Sequence, residues 1–105
     1  MEKKQRDIIF LYGEALMLAG NVEGGLGIIK AYKKELKASP SAGLLIKSKF
    51  LPQAQLALEF IKRFERKSSS ADAELFAACR PKIEEAKTAC LNAIAFYEQF
   101  QTTVH

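Results

Sequence analysis

"FAACRPKIEEAKTACLNAIAFYEQF", residues 76–100, carries apolar or small side chains at a repeat of seven. Phe76, Ile83, Cys90 and Tyr97, continued by Val104, make one row. Cys79, Ala86, Ala93 and Phe100 make a second row, three residues behind the first. Two interleaved rows of this kind are the a and d positions of a helix that packs nearly parallel or antiparallel to its neighbours, as in a bundle or coiled coil. The small Cys and Ala positions let a neighbouring backbone come close. Pro81 lies inside this segment and predicts a bend there.

Upstream of this segment, "SSSAD" (68–72) is a polar break and an N-cap. A serine there accepts from the first free N–H groups, and Asp72 and Glu74 stand where the helix dipole favours acids. Before the break, a helix is expected over residues 52–67, with Pro52 at its first position, where a missing N–H costs nothing. Phe50, Ala54, Ala57, Leu58, Ile61 and Phe64 line one face, and Gln53, Gln55, Glu59, Lys62, Arg63 and Arg66 the other. A short helical turn is expected over residues 44–49.

Further upstream, the spacing of Ile8, Tyr12, Ala15, Leu16 and Ala19 predicts a helix over residues 4–19. Gly20-Asn21 reads as its stop, because glycine tolerates the left-handed conformation that closes a helix. A second helix follows to residue 37, with Val22, Leu26, Ile29 and Leu36 as its buried stripe, and "ASPSAG" ends it. No alternating run competes as a strand. The expected fold is all-α: one domain over residues 1–105, a compact bundle of about four to five amphipathic helices joined by short loops.

Three glycines, Gly24, Gly25 and Gly27, precede Lys30. Phosphate-cradling loops need GxxxxGK[ST], or GxGxxG after a strand, and neither is present. In a helix each glycine costs about 0.5–1 kcal/mol relative to alanine, which close helix-to-helix approach can offset. The first two helices are therefore expected to form a glycine-tight αα-hairpin. Residues 8–37 resemble a single tetratricopeptide-type helical hairpin: Gly13 in the first helix, Gly20 at the turn and Gly25 beyond it, with Tyr12, Leu16, Val22 and Ile29 as the large positions. The resemblance implies small residues at which paired helices nest. Tyr32 stands where that family has alanine, and Lys47 and Glu59 occupy the small positions 34 residues on, so no second copy follows. An unrelated αα-hairpin with a tight crossing gives the same pattern.

The chain of 105 residues is 49% hydrophobic, which excludes a disordered tail. No apolar run approaches the roughly 20 residues of a membrane span. Asp7, Gly13 and Glu14 interrupt the apolar N-terminal stretch, which reads as a helix of the mature protein and not as a signal peptide. Cys79 and Cys90 are eleven residues apart on one helix. That is roughly 16 Å of rise, beyond disulfide reach, so reduced core thiols and a cytoplasmic setting are expected; the alternative is pairing across a homodimer.

No constellation for catalysis, cofactor or metal stands out. The one histidine is the terminal His105, two cysteines without a nearby histidine do not close a metal site, and Glu84 and Glu85 are adjacent and diverge. The expectation is no enzyme, no cofactor and no metal. Surface remains. The net charge of +4 divides as +6 over residues 1–70, with 13 Lys and Arg against 7 Asp and Glu, and −2 over residues 71–105, with 3 against 5. Lys30, Lys33, Lys34 and Lys37 cluster on the second helix, and Lys62, Arg63, Arg66 and Lys67 at the end of the third. The final helix carries a further apolar stripe of Leu75, Leu91, Ile94 and Phe96. These features point to a non-enzymatic interaction module, an adaptor, assembly factor or chaperone. It would bind another polypeptide, acidic or helical, or a second copy of itself, through apolar anchors with basic surroundings. The alternative is a small basic nucleic-acid-associated protein using the lysine and arginine faces of helices 2 and 3.

Overall fold

The computed structural model describes residues 2–100, apart from the side chains at positions 70 and 71. Val104, expected to extend the first heptad row, and His105 lie outside the described residues. The elements are α1 (Lys3–Ala31), α2 (Lys33–Lys37), α3 (Pro40–Leu45), a π-helical turn (Ile46–Phe50), α4 (Leu51–Ala71) and α5 (Ala73–Glu98). Because α3, the π turn and α4 form one unbroken helical path, the described residues make four helices and no strand. The helices α1, α4 and α5 each pack along the other two. They build a slender bundle of 55 × 19 × 16 Å, whose 16.2 Å radius of gyration exceeds the ~13 Å of a compact domain of this length.

The first hairpin is not there. Residues 3–31 are one continuous helix that runs through Gly20-Asn21 without turning, and no glycine takes positive φ. The physical reason lies in the apolar row. Ile8, Ala15, Ala19, Val22, Leu26 and Ile29 are all buried and keep one phase across Gly20. A turn there would break that row, whereas a glycine left inside a helix costs only about 1 kcal/mol. The helix ends instead at Tyr32, and the chain crosses the bundle end through α2. Ser39, extended at φ −110° and ψ 112°, sets up Pro40 as the first residue of α3.

Pro52 does not begin a helix; it is the second residue of α4 within the continuous path. A proline ring inside a helix clashes with the carbonyl four residues earlier. The π turn immediately before it, closed by the Leu51 N–H on the Ile46 carbonyl, widens the helix at that point. The turn also keeps Ile46 in phase with the buried row of α4, Ala54, Ala57, Ile61, Phe64 and Ser68. At the other end of α4, Asp72 caps α5: its carboxylate accepts from the Leu75 N–H at 3.0 Å and from Gln5 Nε2 of α1 at 3.3 Å.

The heptad rows of α5 are the core edge of that helix. Cys79, Ile83, Ala86, Cys90, Ala93, Tyr97 and Phe100 are buried, Phe76 packs against them half-buried, and the helix continues through Pro81. Among the three long helices close approach comes from alanine: Ala15, Ala54, Ala57 and Ala93 are wholly covered. Two aromatic groups fill the ends of the bundle. Tyr12, Phe64 and Phe76 stack in sequence with centroids 5.2 and 6.3 Å apart. Phe50, Phe96 and Phe100 gather around the Tyr97 end of α5.

Candidate interaction surface

The apolar stripe expected to be surplus on α5 is largely used inside the chain. Leu75, Ile94 and Phe96 pack against the core and are only partly exposed, so of the four residues only Leu91 stands open, at 48%. Phe96 is further covered from the side by Lys30 and Lys33, whose Nζ atoms each lie 5.6 Å from its ring centroid. These two cations are thus drawn toward an aromatic face of their own bundle, an attraction that both their charge and their methylene stems favour.

The two basic clusters do not meet. Lys30 ends α1, and Lys33, Lys34 and Lys37 lie on α2; Lys62, Arg63, Arg66 and Lys67 lie toward the opposite end of α4. The Gln5–Asp72 contact fixes the common base of α1, α4 and α5. Counting up from it at about 1.5 Å per residue places Lys30 roughly 20 Å above Lys62 along the bundle axis. Within the lower cluster, Arg63 and Arg66 share Glu59, at 3.8 and 3.4 Å, and Arg63 also lies over the Phe60 ring.

Ordinary clefts are shallow. One, between α1 and α5, runs past Gly20 and is rimmed by Glu23, Lys82 and Glu85. Below it the Cys90 thiol is buried, and that burial, with a smaller contribution from the Glu23 carboxylate, pushes its pKa up to about 11. Burial also raises Cys79 and its neighbour Tyr12. Both cysteines are free thiols. Raised, covered thiols are poor nucleophiles at neutral pH.

The three most exposed large apolar side chains lie elsewhere, on the side of α1 that faces away from the bundle. Phe10, Met17 and Ile28 are 63, 66 and 62% exposed. Between them on the same side stand Gly13, Gly20, Gly24 and Gly27, all exposed, and a Cβ built on any of these glycines would meet nothing within 4 Å. Only Gly25, turned inward, sits against other groups, Phe50 and the Tyr97 hydroxyl, at ordinary contact distances of 3.5–3.8 Å. The outward sides of α4 and α5 are mostly polar, with Gln53, Gln55, Lys62, Glu84, Glu85, Thr88 and Asn92 in solvent beside the isolated Leu56 and Leu91. By contrast, between Phe10 and Ile28 the exposed part of α1 offers only two acids, Glu14 and Glu23, and one amide, Asn21. The sequence carried a signal for this face. Phe10, Met17 and Gly24 are seven apart, and so are Gly13, Gly20 and Gly27, but the signal is masked once the helix is cut at Gly20. No family model matches this chain, and neither a curated protein nor a solved structure does.

Proposed function

We propose that the protein is a non-enzymatic helical interaction module, an adaptor or assembly factor, that binds a polypeptide helix along the outward face of α1. The observation that carries this reading is a helix whose solvent side, from Phe10 to Ile28, is mostly apolar side chains and glycine. One face of α1 supplies six core residues, and the opposite face sets Phe10, Met17 and Ile28 in solvent around four glycines with open space above them. Helices apolar all round are ordinarily covered on all sides, and contiguous exposed apolar surface marks an interaction site. A partner helix laid along the stripe would cover it. Glycines let that helix approach its own backbone closely, and the three large side chains act as anchors.

A photo-cross-linking residue placed at position 17, with a control at Glu84 on the polar side of α5, tests the reading in cells that express the protein. Discrete adducts at 17 and none at 84 are expected. Equal labelling at both positions would remove α1 as the docking face.

A further inference from the structure

We infer that the occupant of the α1 face is a second copy of this chain, with the two α1 helices antiparallel and Phe10 of one opposite Gly27 of the other. This rests on the reading of α1 as the docking face and names what docks. The stripe Phe10, Gly13, Met17, Gly20, Gly24, Gly27 has spacings of three, four, three, four and three, which read the same in both directions. An isologous two-fold contact needs a surface that is its own complement. When the stripe is reversed onto itself, Phe10 meets Gly27, Met17 meets Gly20 and Gly13 meets Gly24. Every large side chain falls on a glycine, and no two large ones collide. In heptad terms each pair joins an a to a d position, the pairing that an antiparallel helix pair makes. A parallel pairing would set Phe10 on Phe10 and Met17 on Met17, and would leave four glycine-on-glycine layers where the antiparallel one leaves two.

The same register places the two-fold axis between Leu18 and Ala19, close to the middle of the 29-residue helix. The helices then overlap over nearly their whole length with their dipoles opposed. At this register Glu14 comes level with Glu23 of the other copy but on the opposite rim of the stripe, and the nearest groups along each rim are Asn21 for Glu14 and Leu16 for Glu23. The area is sufficient. Taking about 200 Å² for a fully exposed Phe-sized residue, the three large side chains offer roughly 400 Å². With the glycines and their flanks, two copies bury on the order of 1,100 Å², just above the ~1,000 Å² that a specific interface must clear. The whole chain also exposes 6827 Å², roughly 900 Å² more than the ~5,900 Å² usual for a compact monomer of its 11.7 kDa.

Sedimentation equilibrium of the full chain over about 1–500 µM tests the inference, and a species of twice 11.7 kDa is expected to form in the micromolar range. Met17→Glu and Gly20→Phe should each weaken association at least tenfold. Their helical circular dichroism should be unchanged, because position 17 is in solvent and nothing lies within 4 Å of a Cβ at position 20. Orientation is read by disulfide trapping. Gly13→Cys mixed with Gly24→Cys should give a linked heterodimer, whereas either variant alone should not link, its own copies lying eleven residues, or about 16 Å, out of register. Self-linking of each single variant as readily as the mixture would overturn the antiparallel pairing. A monomer at all concentrations would overturn the dimer. In that case the binding of anilinonaphthalene sulfonate separates the two readings. Dye binding that Met17→Glu abolishes leaves the face open to a different polypeptide, and dye binding that the substitution does not change removes the face itself.

Discussion

Lys87 of α5 holds its Nζ 3.1 and 3.2 Å from the two carboxylate oxygens of Glu65 on α4. Both side chains are partly covered, at 32 and 22% exposure, so this pair is less screened than the intrahelical pairs that Arg63 and Arg66 make with Glu59. It joins the two helices at a level where their contact is otherwise apolar. Replacing Lys87 by Ala leaves a partly covered carboxylate without its cation and should lower stability by about 1 kcal/mol. Urea melts at low and at 1 M salt check this: the difference between wild type and variant should shrink as salt rises. A difference insensitive to salt would show that the lysine stem, and not its charge, matters there.

Phe64 is wholly buried and lies between Tyr12 of α1 and Phe76 of α5, so one side chain touches all three long helices. Phe64→Ala should cost about 3–5 kcal/mol, a large share of the stability of a chain this size. Phe64→Leu should cost clearly less. Equal losses for the two would mean that the ring contacts, and not the filled volume, dominate.

The parts of the fold that sequence reading captured are those where burial and periodicity coincide. The a and d rows of α5 and the Ala54, Ala57, Ile61, Phe64 row of α4 became core because nothing in those segments competed with the apolar pattern. The first helix runs past its expected end because Gly20-Asn21 is a permissive stop signal, not a compelling one. A glycine allows a turn, but the in-phase row from Ile8 to Ile29 rewards continuing the helix. The same cut concealed the outward face, since Phe10 and Gly24 belong to one stripe only when they belong to one helix. The covering of Leu75, Ile94 and Phe96 was not legible either. It depends on the side from which α1 and α2 approach α5, a tertiary fact that no local pattern carries. Nor was it legible that the basic residues divide between two ends of the bundle, because that follows from helix lengths fixed only by the true ends of α1 and α4.

The Cys90 thiol gives the chain a stability limit at alkaline pH. Its folded value of about 11 lies above that of an exposed thiol, so the unfolded chain releases this proton first. Stability is therefore full below about pH 9 and falls as pH rises toward 11, on the order of 2 kcal/mol over that window. Cys79, Tyr12 and Tyr97 are raised in the same sense by burial and add to the fall. Urea midpoints measured from pH 8 to 11 should drop steadily, and Cys90→Ala should make the drop shallower without abolishing it. An unchanged slope would mean that the folded thiol ionises as freely as the unfolded one.

Asp72 works in the opposite direction at acid pH. The Leu75 N–H, and then the Gln5 amide, hold its carboxyl below the ordinary carboxylate range. A lowered folded value means stability that is present above the unfolded pKa and is lost as pH falls through the folded one. Asp72→Asn keeps a capping acceptor but cannot titrate, so its thermal midpoint should vary less than the wild type's between pH 5 and 2. If both proteins lose stability in parallel over that range, the cap is not the group that responds.

The outward glycines of α1 set monomer stability against association. Each of Gly13, Gly20, Gly24 and Gly27 lies inside a helix with open space where a Cβ would go. In a dilute monomer, alanine at any of them should raise stability by about 0.5–1 kcal/mol, since the substitution adds no clash and restricts the unfolded chain. If these glycines receive Phe10, Met17 and each other from a second copy, the same alanines stand in the way of the closest helix approach. Gly20→Ala, opposite Met17, and Gly27→Ala, opposite Phe10, should then weaken association while they strengthen the monomer. Melting at about 1 µM and sedimentation at a few hundred µM on the same variants separate the two effects. Stabilisation at both concentrations, with no change in association, would mean that nothing approaches the face closely enough to need glycine there.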